Sequence, residues 1–162
     1  MELSAPFRLQ RYGDNKFYFY LRQENGDRVY LQTRRFYSSG PFKSANGKSS
    51  MHLSFGQEVM TVLRQIHSFC KKRVACPEGI DWKLDNAWEE LNDSMFVNLA
   101  SDFHAFDREK KPITTLGKGF YTLLLHLPGV YLDDRPMARL QVKVVQAIFE
   151  PDDETSVCRI NI

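Results

Sequence analysis

The chain is 162 residues long, 43% hydrophobic and 26% charged, the size and composition of one globular domain, which excludes wholesale disorder. Residues 1–10 hold no long apolar run, and no segment approaches the roughly 20 apolar residues that span a bilayer, so neither a secretory leader nor a membrane anchor is expected. The net charge of +2 conceals an asymmetry: residues 1–73 carry 13 Lys and Arg against 5 Asp and Glu, and residues 74–162 carry 9 against 15. A basic half suits a polyanion, and an acidic half suits a face that repels polyanions or meets another protein.

In chain order, Lys16-Phe-Tyr-Phe-Tyr-Leu-Arg22 is a run of strand formers, Asn25-Gly26 is a turn signal, and residues 28–37 form a second strand run. Together they predict a hairpin. Residues 38–50, with Gly40, Pro41, Gly47 and five Ser, predict a flexible loop, followed by a short strand from Met51. Ser54 and Gln57 have capping-box spacing, which predicts a helix start. Val59, Met60, Val62, Leu63, Ile66, Phe69 and Cys70 then recur at helical spacing on one apolar face. Pro77 and Gly79 end that helix. A second short helix is expected over residues 85–91, a strand over 95–99, and a polar loop over 102–116. Residues 119–127 read as a buried strand and 133–136 as a turn. Residues 137–149 alternate, with Leu140, Val142, Val144, Gln146 and Ile148 on one side and Arg139, Gln141 and Lys143 on the other. A short acidic tail, 150–162, closes the chain.

Aromatic and basic residues interleaved on strands are the most informative feature. A single-stranded nucleic acid exposes both base faces and phosphates, and a protein that binds it uses rings for stacking and cations for charge. Alternation places Phe17, Phe19, Leu21, Val29 and Leu31 in the core, with Tyr18, Tyr20, Tyr30, Gln32, Arg34 and Phe36 on the wet side. Arg35, Tyr37, Phe42, Lys43 and Lys48 extend the basic, aromatic stretch into the loop, and Lys118, Tyr121, Arg139 and Lys143 are the candidates from the second half. Tyr suits such a platform because its ring stacks while its tip stays polar. Burial of the same tyrosines in cross-strand pairs is the competing reading.

The sequence holds no GxSxG, HExxH or P-loop. Glu89-Glu90 and Asp133-Asp134 fit a solvated face and a turn. His67, Cys70 and Cys76 lack a CxxC pair and a fourth ligand, so no metal, cofactor or enzymatic activity is expected. The three cysteines are odd in number and not in framework spacing, which fits a reducing intracellular compartment.

The segments Val29-Tyr-Leu-Gln-Thr33, Gly40-Pro-Phe-Lys43 and Gly47-Lys-Ser-Ser-Met-His-Leu-Ser54, then residues 119–132 and 140–146, resemble the single-stranded DNA-binding proteins of large DNA viruses and their mobile-element relatives. The resemblance covers residues 17–149. It implies an α+β, β-rich fold: an OB-like barrel of about five strands, with helices inserted between the third and fourth, that coats single strands during replication or recombination. Members often end in a long acidic tail that recruits partners; here Glu150-Pro-Asp-Asp-Glu154 is short and Arg159 follows. The first half also resembles a PUR repeat or Whirly-type module, which would give a four-stranded sheet with a helix; both families bind single strands. The partners expected are single-stranded DNA, with RNA the other candidate, a second copy of the chain, and replication proteins meeting the acidic half. The alternative function is a structural or protein-interaction subunit of a viral or transposon-like assembly.

Overall fold

The computed structural model describes residues 8–13, 16–45, 47–54, 57–73, 81–84, 88–89, 94–132, 137–152 and 160. Among them the chain order is β1 (Arg8–Gly13), β2 (Lys16–Tyr20), β3 (Tyr30–Gln32), β4 (Phe36–Ser38), β5 (Phe42–Lys43), β6 (Ser49–Ser54), α1 (Gln57–Arg73), β7 (Asp81–Leu84), β8 (Trp88–Glu89), β9 (Ser94–Phe106), β10 (Pro112–Ile113), β11 (Gly119–His126), β12 (Gly129–Leu132), β13 (Met137–Leu140) and β14 (Lys143–Pro151). No described helix is long and apolar enough to cross a membrane.

The strands form two open sheets. The larger runs β3-β11-β14-β9-β6-β5, with β4 added on β11 and β8 and β10 on β9; the smaller runs β1-β2-β12-β13-β7. The expected β-rich class is present, but neither sheet closes into a barrel among the described residues.

Three chain segments pass from one sheet to the other at a common seam. Leu21 donates its N–H to the Pro128 carbonyl at 3.0 Å, Leu127 donates to Val29 at 3.0 Å, and Gln141 donates to Gly129 at 2.9 Å. Strands that switch sheets in this way make the corners of a packed pair of sheets. Leu21, Val29, Leu127, Val130 and Val142 are all at most 1% exposed there. Gly129 has φ +159°, extended backbone, but a Cβ on it would meet the Phe19 carbonyl. The core joins the inner faces of both sheets to Val59, Met60, Leu63, Ile66 and Cys70 of α1. Burial of apolar area of this kind is the main driving force for the fold. Cys70 is buried, and desolvation pushes its thiol up to about 12.

The predicted hairpin is divided. Arg22 and Arg28 bridge around the turn, which Gly26 closes at φ 87°, but β2 continues into the small sheet and β3 into the large one. Leu21 and Val29 make their backbone bonds with Pro128 and Leu127 and not with each other, and both side chains are buried there. The loop expected over 38–50 contains a tight hairpin: Phe42 and Lys43 pair with Ser50 and Ser49, and Ser44 and Lys48 close the turn through a 2.9 Å backbone bond and a 3.0 Å bond from the Ser44 hydroxyl. The polar loop expected over 102–116 is largely the end of β9 and the paired β10, joined by a turn whose N–H groups at Glu109 and Lys111 donate to the Asp107 carboxylate, each at 2.9 Å. At the second predicted helix, Trp88 and Glu89 instead pair with Met95 and Ser94 as a strand; its other residues lie outside the described ones. So do Pro77, Gly79, residues 133–136, Cys76, Cys158 and the tail from 153 to 159.

Two single-residue insertions reset which side chains face out. β3 and β4 both pair with β11, yet Gln32 to Phe36 spans four steps where Leu124 to Tyr121 spans three. The extra residue turns Arg35 and Tyr37 outward and Phe36 inward, because one step flips every side chain. Thr33 bridges the gap, donating its N–H to Leu123 and accepting the Leu123 N–H on Oγ1, both at 2.9 Å. In β14 a bulge at Val145 does the same: Gln146 and Ile148 face out, and Ala147 and Phe149 are buried. The alternation expected from 137 to 149 thus holds through the crossover, with Leu140, Val142 and Val144 buried, and is broken once, by this bulge.

Candidate nucleic-acid interface

The outward face of the large sheet carries one row in register across six strands. Tyr30 pairs with His126, His126 with Lys143, Lys143 with Asn98, Asn98 with Ser50, and Ser50 with Phe42. Directly paired residues share a face. The Tyr30 ring lies 5.1 Å from that of His126. At the other end, Phe42 meets Phe96 edge-on at 5.9 Å, and His52 lies 4.8 Å from Phe96. Tyr30, Phe42 and Phe96 are 38%, 42% and 37% exposed, high for large rings whose fit is usually inside. Rings thus stand at both ends of the row, with Lys143, Asn98 and Ser50 between.

The middle opens into a groove of about 590 Å³ lined by Lys48, Ser49, Asn98, Phe103 and Lys143 among others. Its cause is a break in the β14–β9 ladder: Val144 pairs with Leu99, and the next pair is Gln146 with His104. Residues 100–103 therefore bulge out of the ladder within β9, and Ala100, Ser101 and Phe103 line the groove. Ser50 donates its hydroxyl to the Asn98 Oδ1 at 2.7 Å, fixing that amide at the groove edge.

His126 reports the electrostatics of this surface. Its pKa is lowered, first by burial, then by Arg28, Arg22 and Lys143, with Asp102 opposing them. Cations from three segments therefore converge on one imidazole, whose Nε2 is buried without a partner. Arg22 also reaches toward the small sheet, its guanidinium 5.9 Å from the Tyr20 ring centre.

The sequence-predicted residues fall into four places. Tyr30, Phe42, Lys43, Lys48 and Lys143 lie on or beside the row. Tyr18, Tyr20 and Arg139 belong to the small sheet, where Tyr18 and Arg139 both pair with Tyr131. Tyr18 is half-buried, 4.9 Å from Tyr20, and donates its hydroxyl to Gln141 at 2.7 Å. Arg35, Tyr37 and Lys118 gather at the far, acidic end of the large sheet. There Arg35 pairs with Glu150 and lies 3.8 Å over the Phe120 ring, and Arg108 pairs with the same carboxylate at 3.0 Å. Tyr37 donates to Asp152 at 3.0 Å, a bond that raises its pKa. The basic and acidic halves of the sequence mix at this end. Arg34 is exposed in the chain between β3 and β4.

Two expected surface rings turn inward. Tyr121 is 0% exposed, donates to the Gly117 carbonyl at 2.6 Å and packs 4.8 Å from Phe149; burial pushes its pKa up to about 12. Phe36 packs beside it at 6.5 Å, since the insertion after Gln32 exchanges its place with Tyr37.

His52, Phe96, Asn98 and His126 were not legible as site residues. The alternation Met95-Phe96-Val97-Asn98 was the available signal, with Phe96 on the polar side of an otherwise buried strand. Among the described residues no three His, Cys, Asp or Glu side chains gather to hold a metal.

No protein-family model matches the chain, and no curated protein matches it in sequence. Among solved structures, it aligns with the single-stranded DNA-binding protein from bacteriophage Enc34 in complex with ssDNA at 8% identity and a TM-score of 0.49, covering 93% of this chain and 98% of that one. A C-terminal truncation of the same phage protein aligns at 7% identity and 0.48, covering 93% and 97%, and a further structure of it at 10% and 0.47, covering 95% and 97%.

Proposed function

We propose that the outward face of the large sheet binds single-stranded nucleic acid, DNA in the first instance, and that the protein coats exposed strands during replication or recombination without catalysing a reaction. The observation that carries this reading is the in-register row: exposed rings at both ends, with the Lys143 cation, the Asn98 amide and the Ser50 hydroxyl between. Duplex DNA hides its base faces in the stack, whereas a single strand offers base faces to Tyr30, His126, Phe42 and Phe96 and phosphates to Lys48, Lys143, Arg22 and Arg28. Arg34 and Lys43 add charge at the margins. Tyr18, Tyr20 and Arg139 extend the surface over the small sheet by way of Arg22.

The test is fluorescence anisotropy with a labelled single-stranded oligonucleotide at low salt, with unlabelled duplex of the same sequence as competitor. Binding that duplex displaces poorly is the expected result. No change in anisotropy at micromolar protein overturns the reading and favours a structural or protein-interaction role.

A further inference from the structure

Beside the row of Tyr30, His126 and Lys143 lies a second one, in which Leu124 pairs with Gln32 on one side and with Gln146 on the other. The two glutamines therefore flank Leu124 at two strand spacings, roughly 10 Å apart. Both are exposed. A shallow depression of about 120 Å³ opens between them, with Leu124 at its centre and Phe106, Thr122 and Ile148 around it. The described residues that line it carry no charge, although the neighbouring row carries Lys143 and is approached by Arg22 and Arg28. Phosphates are drawn to those cations, so the part of a nucleotide that suits the depression is the uncharged base.

We propose, resting on the single-strand reading above, that Gln32 and Gln146 read the edges of one base seated over Leu124, and that adenine is the base they favour. A glutamine amide offers a donor and an acceptor side by side, which matches the acceptor–donor pair of adenine at N7 and N6. In an unpaired adenine the N1 and N6 edge offers a second such pair. Adenine thus satisfies two amides at once. Unpaired guanine matches one amide with its O6 and N1–H, but its other edge presents two acceptors at N7 and O6, for which a cation is the better partner, and each pyrimidine has a single edge to offer. Tyr30 and His126, one row away, supply the stacking surface for a neighbouring base.

The experiment compares a labelled twelve-residue oligo-dT with the same strand carrying four central deoxyadenosines. The wild-type protein binds the adenine-containing strand about tenfold more tightly, and in the Gln32→Met, Gln146→Met double variant the ratio of the two affinities falls to about one. The thermal unfolding midpoint of the variant serves as the folding control. Equal affinity of the wild type for both strands, or a ratio that survives in the variant, overturns the assignment. Failure of both strands to bind the wild type overturns the single-strand reading itself.

Discussion

Individual rings on this surface can be removed without opening the core, because Tyr30, Phe42 and Phe96 are each more than a third exposed. Tyr30→Ala or Phe96→Ala is expected to weaken binding of a single-stranded oligonucleotide by about 1–3 kcal/mol each, with the midpoint of urea unfolding little changed; loss of stability without loss of affinity would assign these rings to packing. His126 makes a distinct prediction. Its pKa lies below the usual 6.5 in the free protein, through burial and then Arg28, Arg22 and Lys143, with Asp102 opposing, so the folded state resists protonation. Stability from this residue is therefore complete above pH 6.5 and is lost as pH falls through the lowered value. A phosphate held among the same cations offsets their repulsion and raises the imidazole pKa in the complex. Affinity is then expected to rise as pH falls below 6.5, and His126→Gln to flatten that profile.

Single insertions within elements decide which residues reach the surface. Thr33 carries the first, because its hydroxyl accepts the Leu123 N–H at 2.9 Å where the ladder loses a carbonyl. Thr33 is 4% exposed, so Thr33→Val leaves that N–H buried without an acceptor, at a cost of about 1–3 kcal/mol in urea unfolding. The same insertion explains what the sequence could and could not convey. Up to Gln32, alternation alone places Val29 inside and Tyr30 outside. Past Thr33 the period continues in the sequence while the side chains change face, so Phe36 and Tyr37 exchange roles. Val145 has the same effect on Gln146 and Ile148. The apolar face of α1 was legible because 3.6-residue spacing needs no partner to be recognised, and Val59, Met60, Leu63, Ile66 and Cys70 are the residues it buries. Strand pairing is non-local. Nothing near Asn25-Gly26 reveals that β2 and β3 part company, since the groups that claim them, Pro128 and Leu127, lie about a hundred residues on.

At the scale of the whole molecule, charge is graded across the large sheet. Arg22, Arg28, Lys48 and Lys143 border the row, while Glu150 and Asp152 engage Arg35, Arg108 and Tyr37 at the far end. If all four bordering cations neutralise a phosphate, the logarithm of affinity falls against the logarithm of salt with a slope of about −2.8, at roughly 0.7 per contact for single strands. Lys143→Ala is expected to lower the slope by about 0.7 when measured over a salt series. A slope near zero would mean that stacking acts without charge. The row itself was only partly legible in the sequence. Tyr30, Phe42, Lys48 and Lys143 were visible as types, but their alignment depends on the order β3-β11-β14-β9-β6-β5, which interleaves segments from both ends of the chain.

The seam at Leu21, Leu127 and Gln141 has a mechanical consequence. Because three separate stretches of backbone run through it and are bonded to one another there, sliding or tilting one layer against the other would break those bonds. A ligand that spans Tyr20 in one layer and Tyr30 in the other would therefore bridge two layers tied at that seam, and pulling them apart would cost those backbone bonds.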